Sequence, residues 1–263
     1  MGGRLKYHQK TFDLLGEEPP EFSGKLIDLL RERERSCGVK FPESVIEWYS
    51  LENGFEILKK HSRADDPYPI AALGKAFDNW YGGGPHDFIK DGLLMIFHEN
   101  QGVCNLAVKL DGSEDPAVMI EVDSSPNMVW TAYVEHFSDF VYTQVWDNNY
   151  SQYEYVFTAI DGNLTPNTIS YLKKILDEDI RTFGWPGDVN YRFYSQGKKI
   201  LIWDSKRAQQ ADWYVAGKSK DVTIDLIKQI YMCGDLKNSL GRWDTNGLDV
   251  LNEAKQLCET SGR

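Results

Sequence analysis

The residue types that do chemistry are present in this 263-residue chain, but the spacings that chemistry demands are missing. Gly217-Lys218-Ser219 resembles the end of a phosphate-binding loop, whose leading glycine would have to be residue 212, and residue 212 is Asp. Gly82-Gly83-Gly84 runs into Pro85-His86 with no strand before it and no G-x-G-x-x-G frame, and reads as a loop. His98-Glu99-Asn100 lacks the second histidine of a zinc helix, and the five histidines, at 8, 61, 86, 98 and 136, keep no metal-ligand spacing. No G-x-S-x-G marks a nucleophile elbow. Carboxylates are paired at Asp65-Asp66 and Asp177-Glu178-Asp179, but general acid–base work requires two carboxyls that converge on one cleft. The second group falls between apolar helix positions and reads as that helix's wet face. No catalytic residue, no metal site and no cofactor is expected. An enzyme acting on sugars or phosphoesters is kept open only by the aromatic-rich loop at 77–88.

The cysteines at 37, 104, 233 and 258 are isolated, without C-x-x-C, and read as reduced thiols of a cytoplasmic protein. The start carries charge but no apolar h-region, and Lys6 stands where a myristoylation motif wants Ser or Thr. The longest apolar run, Leu93 to Phe97, is far shorter than the ~18–20 residues of a membrane helix, so no membrane partner is expected.

Charge is the more informative signal. The net charge of −11 sits wholly in residues 1–150, which hold 25 acids against 14 bases, while residues 151–263 balance. From His98 to Tyr150 nine acids face one base, Lys109. Such a surface repels phosphate, which argues against nucleic acid, and attracts a basic protein. A solvated acidic face that only aids solubility is the plainer alternative.

The elements that would position these residues are legible by pattern. A lead-in ends at Pro19-Pro20. Ser23 caps a helix to about Ser36, with Gly38 as its stop, and Phe41-Pro42 begins a second that ends in Asn53-Gly54. Strand-like runs follow at Leu93–His98, Val103–Leu110, Val118–Val122 and Met128–Tyr133, joined by turns too short for parallel pairing. Ser138 caps a helix over Asp139–Trp146, and Asp147-Asn148-Asn149 is the expected boundary. Beyond it come a strand at Tyr153–Ile160 and a helix from Thr165 through Phe183. A hairpin turning at Gln196-Gly197, a strand at Trp213–Ala216, and helices near Thr223–Tyr231 and Leu248–Cys258 complete the chain. Trp48 and Trp203 are expected in the core. The fold class is therefore α+β, a mainly antiparallel sheet flanked by helices over residues 1–150, followed by a smaller α+β unit over 151–263.

Residues of the first part resemble a known family. Gly38-Val39-Lys40-Phe41-Pro42, Glu47-Trp48-Tyr49 and Glu52-Asn53-Gly54-Phe55 are similar to the opening of the SUKH superfamily. Glu99-Asn100-Gln101-Gly102, Asp111-Gly112-Ser113-Glu114-Asp115-Pro116 and Phe137-Ser138-Asp139-Phe140 are similar to its later landmarks, in order. The likeness spans about residues 24–147; relatives often carry Trp shortly after N-Q-G, where this chain has Leu106. The resemblance implies an α+β fold, no intrinsic catalysis, and a role as a bacterial immunity protein that binds a cognate toxin, or as a regulator of the cell-wall scaffold type. Joined to the charge, it makes a basic toxin, possible nucleases included, the expected partner. Glu114, Asp115, Asp123 and Trp80 are the expected contacts.

Overall fold

Proline at the entry of a helix forfeits no hydrogen bond, and Pro42 accordingly sits at the N-cap position of a helix over Glu43–Ser50. This holds in the computed structural model, which describes residues 4–62, 65–79, 84–99, 104–123, 128–162, 164–184, 187–233, 236–242 and 247–261. The chain divides into two units, Met1–Asn149 and Tyr150–Arg263. Each is α+β around an antiparallel sheet. No helix among the described residues is long and apolar enough to cross a membrane.

In the first unit, helices α1 (Gln9–Leu15), α2 (Gly24–Cys37), α3 (Glu43–Ser50) and α4 (Gly54–Lys60) precede the strands. The lead-in is thus no mere extension: α1 buries Phe12 completely, its ring 5.9 Å from that of Trp48. Asn53-Gly54 ends α3 but also opens α4. Asn53 takes a left-handed φ of 65°, and a Cβ on Gly54 would lie 2.3 Å from the Trp48 carbonyl oxygen. Short strands β1 (Asp66–Pro67), β2 (Phe77–Asn79) and β3 (Gly84–His86) follow. Then comes the expected meander: β4 (Leu93–His98), β5 (Asn105–Lys109), β6 (Val118–Asp123) and β7 (Val129–Val134). The sheet order is β1-β4-β5-β6-β7, while β2 and β3 pair with each other.

Register places Leu94, Val108, Val118 and Val134 in one buried row across the sheet. Helix α5 (Phe137–Asn148) closes over that face, the Phe140 ring lying edge-on 5.5 Å from Phe97. The opposite row, Met95, Ala107 and Met119, joins Phe88, with Tyr68, Phe77 and Trp130 packed on it. Both faces of the meander are therefore apolar, which is why its strands read as nearly continuous hydrophobic runs.

The second unit holds β8 (Tyr155–Gly162), α6 (Pro166–Ile175), β9 (Asp177–Glu178), β10 (Thr182–Phe183), β11 (Val189–Ser195), β12 (Lys198–Ser205) and β13 (Gln210–Gly217). Helices α7 (Lys220–Ile230) and α8 (Leu236–Ser239), strand β14 (Gly241–Arg242) and helix α9 (Leu248–Ser261) complete it. The sheet runs β10-β11-β12-β13-β8-β14, with β9 also on β11. Phe157, Phe193, Ile200, Ile202, Trp213 and Val215 line one face beneath Leu172, Leu226, Ile230 and Leu251 of the helices. Thr165 caps α6 as expected, its Oγ1 accepting the Thr168 N–H at 3.2 Å. The helix stops at Ile175 rather than Phe183, because Asp177 and Glu178 leave it to pair with Tyr194 and Phe193. Glu178 consequently does not sit on a helix's wet face: it bonds Lys173 at 2.8 Å and pairs with Arg181. Trp203 is half-buried, since it alternates with Ile202 and so points away from the core that Trp213 fills.

Candidate partner-binding surface

Of the four expected contacts, Trp80 lies outside the described residues. Asp123 ends β6, its backbone opposite Val129. Glu114 and Asp115 occupy the β5–β6 connection, and both are engaged by the fold. The Glu114 carboxylate accepts from Lys6 Nζ at 2.6 Å and from the Tyr7 hydroxyl at 2.8 Å. Those two bonds hold the Glu114 pKa below the ordinary carboxylate range, and the bond to Glu114 raises the pKa of the Lys6 ammonium. Its carbonyl accepts the Ser44 N–H at the start of α3. Asp115 is the true cap of α5: its carboxylate takes the Ser138 N–H at 3.0 Å and the Ser138 hydroxyl at 2.6 Å. His136 Nδ1 donates to the Asp115 carbonyl, which raises the imidazole's pKa. The hydroxyl of Ser138, expected to cap the helix, instead donates to Asp115.

Several acids of residues 98–150 are spent within the fold rather than left free on its surface. Glu121 and Asp147 are buried, Glu121 accepting from Asn105 at 2.7 Å. Among those whose side chains are described, only Asp111, Glu114 and Glu135 are exposed, and two of these three pair with lysines, Asp111 with Lys109 and Glu114 with Lys6.

What the structure does bring together is a groove around α3. Two adjoining clefts, of about 440 and 520 Å³, share Glu43 and Glu114 on their walls. The first runs between Val39–Pro42 and Leu110–Ser113. The second has an apolar floor of Phe22, Ile27 and Ile46, with Lys6 and Arg31 at its sides. Phe22 is 51% exposed even though its backbone bridges Leu51. The local fold dictates the rest. Glu43 is thrown to the surface in the first turn of α3, and Ile46 comes one turn later on the same side.

The wall carrying Lys6 is held by Glu47. Its carboxylate accepts three successive backbone N–H groups, those of Lys6, Tyr7 and His8, at 2.8, 2.9 and 3.0 Å. His8 is fully buried between Trp48 and Phe137, its Nε2 2.9 Å from the Ser44 carbonyl oxygen. Burial lowers its pKa and keeps the ring neutral. On the other side buried Glu34 ties α2 to α3's entry, one oxygen taking the Phe41 N–H at 2.8 Å and the other Arg31 at 2.7 Å.

Among the described residues no three His, Cys, Asp or Glu side chains are grouped to hold a metal ion. Burial, with Glu99, Asp65 and Glu121 adding to it, pushes the Cys104 thiol up to about 12, far from a reactive thiolate. What the groove can do chemically is accept a cation at Glu43 or Glu114 while covering an apolar side chain on Phe22, Ile27 and Ile46. No protein-family model, curated protein or solved structure matches the chain.

Sequence reading missed Lys6, Tyr7, Phe22, Ile27, Glu43 and Ile46 as members of one site. Glu114 meets Lys6 across 108 positions, and no local pattern signals such a pair.

Proposed function

We propose that this chain is a non-catalytic binding protein of the immunity type, which neutralises a basic protein toxin in the cytoplasm by covering it. The observation that carries the reading is the groove over α3. It offers the exposed ring of Phe22 with half-buried Ile27 beside carboxylates, and one of these, Glu114, already binds an ammonium group. Apolar anchors within a charged rim are the anatomy of protein recognition surfaces. The −11 charge of residues 1–150 adds long-range attraction for a basic partner. The likeness of residues 24–147 to the SUKH superfamily supports the same role.

The test is co-expression with basic secreted toxins, taken first from reading frames that adjoin this chain's own, followed by titration of any purified pair. Restored growth and a one-to-one complex that associates more slowly as salt rises are expected. Absence of both rescue and complex would overturn the reading. A regulatory or scaffold role of the cell-wall-regulator type is the second reading. It is favoured by the separate core of Tyr150–Arg263, which gives the chain a second body for a second contact.

A further inference from the structure

Lys6 occupies the groove in the manner of a ligand. Its ammonium lies 2.6 Å from Glu114, and both side chains are 63% exposed, so the contact is open to water and to competitors. The backbone beneath it is held independently, by the three N–H bonds to Glu47 and by the burial of Leu5 and Phe12. Lys6 can therefore swing away without unfolding anything. Glu43, the other carboxylate shared by the two clefts, is exposed; Arg31 feels its charge but is bonded to Glu34, and Lys40 lines the first cleft beside it. The apolar floor lies directly alongside, with Phe22 half open to solvent.

We propose that Lys6 is an intramolecular stand-in for a partner's lysine or arginine, and that the groove receives a basic side chain at Glu43 and Glu114 next to an aliphatic one on Phe22, Ile27 and Ile46. This rests on the binding reading above and adds its regulation: the partner displaces Lys6 from Glu114 as it docks. Charge selects the occupant. A hydrophobic segment without a cation leaves Lys6 in place, and an acidic one is repelled by Glu43. The latch therefore discriminates against non-basic partners, at the cost of some affinity for the right one.

The experiment titrates isotope-labelled full-length protein with the peptide acetyl-Lys-Leu-Lys-Leu-Lys-amide, using acetyl-Glu-Leu-Glu-Leu-Glu-amide as the control, and follows backbone amide shifts. Shifts centred on Ile27, Glu43, Ile46 and Glu114 are expected from the basic peptide only. Lys6→Met should tighten its Kd about two- to five-fold, the range set by an exposed ion pair. Lys75→Met, the same change of charge outside the groove, should leave Kd unaltered, and Glu43→Lys should weaken it. Circular dichroism confirms that each variant is folded. Equal binding of both peptides, shifts elsewhere, or a Kd unmoved by Lys6→Met beyond the Lys75→Met control would overturn the proposal. The two readings fail separately. A chain that binds the toxin but ignores the peptide has lost only the latch, whereas one that binds the peptide as described but no toxin has lost only the immunity role.

Discussion

Replacing Asp115 by alanine should loosen the start of α5 and nothing in the second unit. The side chain is half-buried and gives Ser138 two hydrogen bonds, one to a backbone N–H in the first helical turn and one to its hydroxyl. Loss of a helix cap costs about 0.5–2 kcal/mol, and bonds to a charged acceptor stand toward the top of that range. An expected loss of about 1–2 kcal/mol corresponds to a rise of roughly 5- to 30-fold in amide exchange across the first turn of α5. Native-state hydrogen exchange with fragment-resolved mass spectrometry reads this directly, with a β12 peptide as internal reference. Ser138→Ala added to Asp115→Ala should cost little more, since the two changes remove the same contact. The cap assignment fails if α5 exchange is unaltered by Asp115→Ala, if β12 responds equally, or if the two substitutions simply add.

Three further outcomes follow from the same geometry. Gly54→Ala and Gly217→Ala should each destabilise by at least about 1–3 kcal/mol in urea unfolding, because the new methyl would lie 2.3 Å from a backbone oxygen or 2.1 Å from Thr223 Oγ1. Gly112→Ala, with nothing within 4 Å of the new methyl but with φ at +86°, should cost only the backbone strain. The imidazole of His8 should titrate below the ordinary value of 6.5 and that of His136 above it, as read from ring nitrogen shifts across pH 5–8. The sign for stability follows. His8, neutral when folded, contributes fully above pH 6.5, and that contribution falls as acid protonates the unfolded chain first; His136 contributes in acid, and its share is lost as pH rises through its folded value.

Local chemistry was legible wherever it acts locally. The Gln196-Gly197 turn holds both residues at positive φ, 38° and 86°, and joins β11 to β12 as its residues demand. The meander's strands follow from runs of Val, Ile and aromatics broken by turn residues. Error entered where a distant contact overrode a pattern. Ile169, Leu172, Leu176, Ile180 and Phe183 keep a helical period, yet β11 offers a free edge that pulls Asp177 and Glu178 into a strand. α1 was read as a lead-in because its seven residues are too few to announce themselves; packing of Phe12 against Trp48, 36 positions away, makes the helix. The site was the least legible part. Glu114 and Asp115 were singled out for their charge, and the structure spends that charge on Lys6 and Ser138. The groove depends on four segments that approach one another only in the fold: the arm before α1, the Phe22–Arg31 stretch, the front of α3 with Val39–Pro42 before it, and the β5–β6 connection that carries Glu114.

The claim that this groove is where a basic partner docks is tested most directly by hydrogen exchange on the full chain, alone and saturated with the partner that co-expression identifies. Slowed exchange is expected in peptides covering residues 22–31 and 42–50, with Tyr150–Arg263 unchanged. Protection confined to the second unit, or found in the first unit only away from α2 and α3, would contradict it.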